Sequence, residues 1–171
     1  MTKWRPAHQA ESEAEEYEVD VIRPDGRTMF RLEKSPPEAI VVHCADPRFQ
    51  TAFRRFVTEE LGFKNYTPLV VGGGAHSFGM QEFRPKNFKT LWEQVKIFLD
   101  LQKVKQVIVI NHEDCLWYDR HKGFHPTIPL KEKALSDLKT TSKQLIEDFT
   151  GVNIRTFWAA LEGDSVYFVE T

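Results

Sequence analysis

Val107-Ile108-Val109-Ile110, followed at once by Asn111-His112-Glu113-Asp114-Cys115, carries the strongest structural signal in the chain. Four consecutive β-branched apolar residues leave no polar face, which suits a parallel strand covered on both sides. A second run, Ala39 to His43, is β-branched at Ile40, Val41 and Val42 and leads into Cys44-Ala45-Asp46-Pro47-Arg48. A third, Leu69 to Val71, leads into Gly72-Gly73-Gly74. Between them the spacing changes to a helical one. Phe49 to Leu61 repeats apolar residues every three or four positions, with Gly62 as a stop, and Phe88 to Leu101 is amphipathic through Leu91, Trp92, Val95, Phe98 and Leu99. Leu116 to Leu130 reads as irregular, aromatic and proline-bearing. Lys131 to Thr150 reads as a long helix with Leu135, Leu138, Leu145, Ile146 and Phe149 on its apolar side, capped by Gly151. Val152 to Ala160 is a further strand, which Glu162-Gly163-Asp164 turns into Val166 to Val169. Strands alternating with helices predict an α/β fold, a mostly parallel β-sheet flanked by helices on both faces, with right-handed crossovers.

Upstream the pattern differs. Met1 to Glu16 is polar and rich in Glu. Tyr17 to Glu33 reads as a hairpin about Pro24-Asp25-Gly26, and Pro36-Pro37 punctuates the chain. The expected organisation is an N-terminal arm and hairpin over residues 1–37 and an α/β domain over 38–171.

The composition removes several classes of function. The 171 residues suffice for one core; 41% are hydrophobic and 28% charged. With 23 Lys and Arg against 25 Asp and Glu the net charge is −2, which argues against nucleic acid or an anionic membrane as partner. No apolar run reaches the length of a membrane span, and the first residues are not signal-like, so a cytoplasmic location is expected.

In a parallel α/β sheet, sites form outside the carboxyl ends of the strands. Both cysteines of the chain, Cys44 and Cys115, fall at such ends. They are either two buried thiols acting as small hydrophobes or two thiolates on a metal. His112 lies three residues before Cys115, so one turn can present both to an ion. Cys, His and Cys suit zinc, and three protein ligands leave a tetrahedral ion one open position, the catalytic pattern. Asp46 is two residues beyond Cys44 and Arg48 two beyond that. The carboxylate can bind the metal or accept a hydrogen bond from its water, and the guanidinium can hold the carboxylate by a bidentate pair. Gly73 and Gly74 read as a close backbone approach to the same pocket; no phosphate-loop spacing accompanies them. His76, His121 and His125 are candidates for carrying a proton away.

The pair of segments Cys44-Ala45-Asp46-Pro47-Arg48 and His112-Glu113-Asp114-Cys115 resembles the two signature motifs of the β-class carbonic anhydrases, and the likeness runs over roughly residues 38 to 170. The resemblance implies Cys44, His112 and Cys115 as ligands of Zn2+, with Asp46 and Arg48 as the dyad that positions or gates the metal's water. It implies hydration of CO2 to bicarbonate by a zinc-activated hydroxide, and a homodimer or higher homo-oligomer. The chain departs from the family pattern at Asn111 and Leu116, where glycine is usual, and in the aromatic run Leu116 to His121. The alternatives are therefore a zinc hydrolase of a CO2 analogue, carbon disulfide or carbonyl sulfide, and a non-catalytic zinc-binding homologue.

Overall fold

The structure is a computed structural model, and it describes residues 21–22, 28–30, 32–79, 85–124 and 127–171. The chain divides into two units, Met1–Lys34 and Ser35–Thr171. In the first, β1 (Val21–Ile22) pairs antiparallel with β2 (Thr28–Met29), in the register Val21 to Met29. The turn residues Pro24, Asp25 and Gly26 lie outside the described residues, as does the acidic arm.

The second unit is a five-stranded sheet in the order β4-β3-β5-β6-β7, formed by β3 (Ala39–Cys44), β4 (Tyr66–Val71), β5 (Gln106–His112), β6 (Asn153–Glu162) and β7 (Ser165–Glu170). β3 to β6 are mutually parallel, and β7 returns antiparallel along β6. The alternation of side chains explains why the central runs are apolar throughout. Ile40, Val42, Val107 and Val109 pack on one face with Leu91, Val95 and Leu99 of α3 (Pro85–Gln102) and Leu138 and Leu145 of α5 (Leu130–Asp148). Val41, Ile108 and Ile110 pack on the other with Phe49, Phe53 and Val57. Both sheet faces are thus closed by helices, as a parallel sheet requires. Among the described residues no helix is long and apolar enough to cross a membrane.

Three segments differ from the expectation. Phe49 to Leu61 is not one regular helix: a 3-10 turn (Pro47–Phe49) leads into α1 (Gln50–Arg55), and the last turn widens to π geometry over Phe56–Glu60, where Leu61 N–H reaches Phe56 O at 3.0 Å. Leu116 to Leu130 opens not irregularly but as α4 (Leu116–His121) and a 3-10 turn (Lys122–Phe124). Only Tyr118 and His121 of α4 are buried, a repeat too short to register as helical spacing. Ile146 is exposed on α5, whose buried stripe runs through Leu138 and Leu145 instead.

Candidate metal centre

The register brings three strand ends side by side: Cys44 of β3 lies opposite Val71 of β4, and His43 opposite Ile110 of β5. Cys44 is thereby delivered beside the end of β5, where His112 is the last strand residue and Cys115 follows after a two-residue turn. The turn is possible because Asp114 adopts positive φ (55°), a conformation that aspartate tolerates better than most residues. The ligating atoms of Cys44, His112 and Cys115 all lie within 4.8 Å of one another, and all three residues are buried. The two sulfurs are 3.8 Å apart.

The hydrogen bonds around this cluster leave the right atoms free. His112 Nδ1 donates to Glu113 O at 2.8 Å, so the neutral imidazole carries its lone pair on Nε2, and that buried nitrogen has no hydrogen-bond partner. Glu113 is itself fixed to β6, its N–H on Ala159 O at 2.9 Å and its carboxylate accepting from Leu161 N–H at 3.0 Å. The Cys115 thiol holds Cys44 as a thiolate well below the usual thiol range, helped by the backbone N–H groups of Gly73, 3.3 Å away, and Asp46. Donating to that thiolate, and burial, push Cys115 up. An orphaned imidazole nitrogen within 4.8 Å of two sulfurs fits a metal, and a thiolate-imidazole donor set fits zinc.

Asp46 and Arg48 meet as expected. The Asp46 carboxylate caps the 3-10 turn by accepting Arg48 N–H at 3.0 Å, and it accepts Nε at 3.1 Å and Nη2 at 2.8 Å. This pairing holds the Asp46 carboxyl below the usual carboxylate range. The carboxylate is nearly buried (7% exposed) and Arg48 half-exposed. Arg48 also donates Nη1 to Asp114 Oδ2 at 2.9 Å and Nη2 to Asp114 O at 2.8 Å, so one guanidinium ties the β3 end to the turn between His112 and Cys115. In the sequence, the signal for this role of Asp114 is its place between the two candidate ligands His112 and Cys115.

A cavity of about 310 Å³ reaches His112 and Cys115 and is bounded by Tyr118, Leu130, Lys131 and Trp158. Gly73 and Gly74 do not line it. Gly73 N–H nevertheless approaches Cys44 Sγ at 3.3 Å, and both glycines are closely packed: a Cβ on Gly73 would lie 2.5 Å from Trp117, and one on Gly74 2.7 Å from Asn111 Oδ1 and 2.8 Å from Ile110 O. Of the histidines outside the cluster, His43 is buried against Phe53, with ring centroids 4.8 Å apart. His76 is buried and paired with Asp137, and His121 is buried beneath Trp117. His125 lies outside the described residues.

No family model matches the sequence, and no curated protein matches it. Solved structures do. A carbonic anhydrase from Glaciozyma antarctica is 17% identical, with a TM-score of 0.50 over 94% of this chain and 96% of that one. A carbonic anhydrase from Streptococcus mutans is 13% identical, with a TM-score of 0.50 over 82% and 87%. A β-carbonic anhydrase from Trichomonas vaginalis matches at 16% identity and a TM-score of 0.47, over 84% and 88%. The chain has the fold of the first two of these carbonic anhydrases, an α/β fold with a mostly parallel sheet, as expected from its sequence.

Proposed function

We propose that this chain is a zinc-dependent carbonic anhydrase that hydrates CO2 to bicarbonate. One observation carries the reading: within a carbonic anhydrase fold, the strand ends of β3 and β5 gather Cys44, His112 and Cys115 within 4.8 Å, with His112 Nε2 free. Those three residues would hold the ion and leave one position for exchange. Bound zinc lowers the pKa of water to about 7 and so supplies hydroxide near neutral pH.

The chain's own residues have distinct tasks. Cys44 and Cys115 provide negative charge, and Gly73 N–H disperses part of it from Cys44. Glu113 O orients the imidazole of His112. Asp46 stays ionised because Arg48 holds it; its carboxylate is an acceptor that can take a hydroxyl proton in a hydrogen bond and so aim the oxygen's lone pair. Arg48, engaged with both Asp46 and Asp114, keeps that carboxylate from swinging freely. The same reading takes a homodimer or larger assembly as the working form.

The test is stopped-flow CO2 hydration by the zinc-loaded protein at about pH 8.5, above the value of about 7 expected for the metal's water. Fast turnover that disappears in Asp46→Ala, with zinc retained, supports the reading. One zinc per chain with no turnover refutes CO2 as substrate and turns attention to carbon disulfide, carbonyl sulfide or a non-catalytic zinc role.

A further inference from the structure

α5 supplies no candidate ligand, yet one of its side chains is linked through hydrogen bonds to the segments that carry all three. Asp137 is 3% exposed. One carboxylate oxygen takes the Lys133 ammonium a turn earlier on α5. The other accepts His76 Nδ1–H at 3.2 Å and Tyr118 OH at 3.0 Å. From these two donors the connections run to the cluster. His76 opens α2 (His76–Gly79), its N–H rests on Gly73 O at 3.0 Å, and Gly73 N–H faces Cys44 Sγ. Tyr118 stands on α4, which begins directly after Cys115, and it packs in the same buried group as both cysteines. Its hydroxyl accepts from Asn111 Nδ2 at 2.9 Å, and Asn111 precedes His112. Asn111 Oδ1 closes the ring by accepting Ala75 N–H at 2.9 Å, next to the glycine turn. α2 lies so close that a Cβ on Gly79 would sit 2.5 Å from Asp137 Oδ1.

A buried ion pair is weak as a source of stability, because removing both charges from water offsets most of their attraction. A network that joins three ligand-bearing segments is better explained by the geometry it fixes. We propose that Asp137 is a positioning residue for the metal centre: through His76, Tyr118 and Asn111 it sets the relative placement of Cys44, His112 and Cys115, with Lys133 supplying the countercharge. The inference rests on the metal reading above.

The test is Asp137→Asn, isosteric but unable to accept from Lys133, His76 and Tyr118 together. Leu138→Ala is the control, a neighbour of equal burial that faces the α3 side of the core and lowers stability without touching the network. Each protein is titrated with zinc against a chromogenic chelator and with cobalt, whose visible bands report the ligand arrangement. Asp137→Asn is expected to bind zinc about 10- to 100-fold more weakly and to shift the cobalt bands, while Leu138→Ala keeps both near wild type. Should Asp137→Asn fail to fold, Lys133→Met carries the same readouts. A folded Asp137→Asn with wild-type affinity and spectrum overturns the inference. Equal weakening in both variants with unchanged bands also overturns it, since that is general loosening. A wild type that takes up neither metal overturns the metal reading and this inference with it, so the two failures are distinguishable.

Discussion

Replacing Gly74 by alanine tests whether the glycine turn is shaped by the metal site's supports. Gly74 has φ of 53°, and the added methyl would stand 2.7 Å from Asn111 Oδ1 and 2.8 Å from Ile110 O. The left-handed backbone alone costs a side chain about 1–2 kcal/mol. Pressing the methyl against a strand backbone adds about 1–3 kcal/mol, because Ile110 O cannot rotate away as a flexible side chain would. The total of about 2–5 kcal/mol corresponds, for a chain of this size, to a Tm lower by about 4–20 °C. Two further glycines separate the contributions. Gly62 has φ of 77°, and a Cβ added there would meet nothing within 4 Å, so Gly62→Ala carries the backbone cost alone. Gly123 has neither positive φ nor a close neighbour, so Gly123→Ala should leave Tm unchanged or slightly raised. Thermal melts of the four metal-free proteins in chelator give the series directly. The reasoning is refuted if Gly74→Ala melts with Gly62→Ala, because the clash with the end of β5 would then cost nothing.

Other outcomes follow from the same geometry. Cys44→Ser should lose zinc in chelator competition and lose the stabilisation that zinc gives the wild type, since metal binding energy is folding energy; full retention of both sinks its assignment as a ligand. Zinc binding near pH 7.5 should release more than one proton, one from the cysteine pair and part of a second from the metal's water with its pKa of about 7, read by calorimetry in buffers of different ionisation heat. The sign follows from opposite shifts: Cys44 is held low and has already lost its proton, while Cys115 is pushed up and must lose it to the metal. Affinity should therefore rise with pH, and release of no proton contradicts the reading. Phe53→Ala, at a side chain 1% exposed between His43 and Phe49, should cost about 3–5 kcal/mol in denaturant melts; a loss under about 1 kcal/mol would contradict its place in the core.

The centre of the sheet was legible in the sequence because β3 and β5 are apolar on both faces, and the short length and β-branching of Ile40 to Val42 and Val107 to Ile110 favour strands. The candidate cluster was legible because its members sit at the carboxyl ends of those strands. The supports were not. Asp137 and Lys133 read as an ordinary charged pair one turn apart on a helix, and nothing local says that two further partners of Asp137 stand 19 and 61 positions away. Asn111 looked like a departure from a usual glycine, whereas its amide bridges the glycine turn, Tyr118 and α5. α4 was missed because only Tyr118 and His121 of its six residues are buried. Short-range pattern finds what repeats along the chain; a polar ring closed across four segments repeats nowhere.

Pro68 gives the sheet two unequal margins. It lies on β4, the outermost strand on one side, opposite Val41. Proline offers no N–H, so an added strand there would meet a gap in the ladder two residues from the start of β4. The opposite margin, β7, contains no proline over Ser165–Glu170 and leaves Tyr167 and Val169 half-exposed. Growth of the sheet by intermolecular strand addition is therefore blunted at one end and left to the other, where the Glu170 carboxylate is already paired with Arg155 of β6.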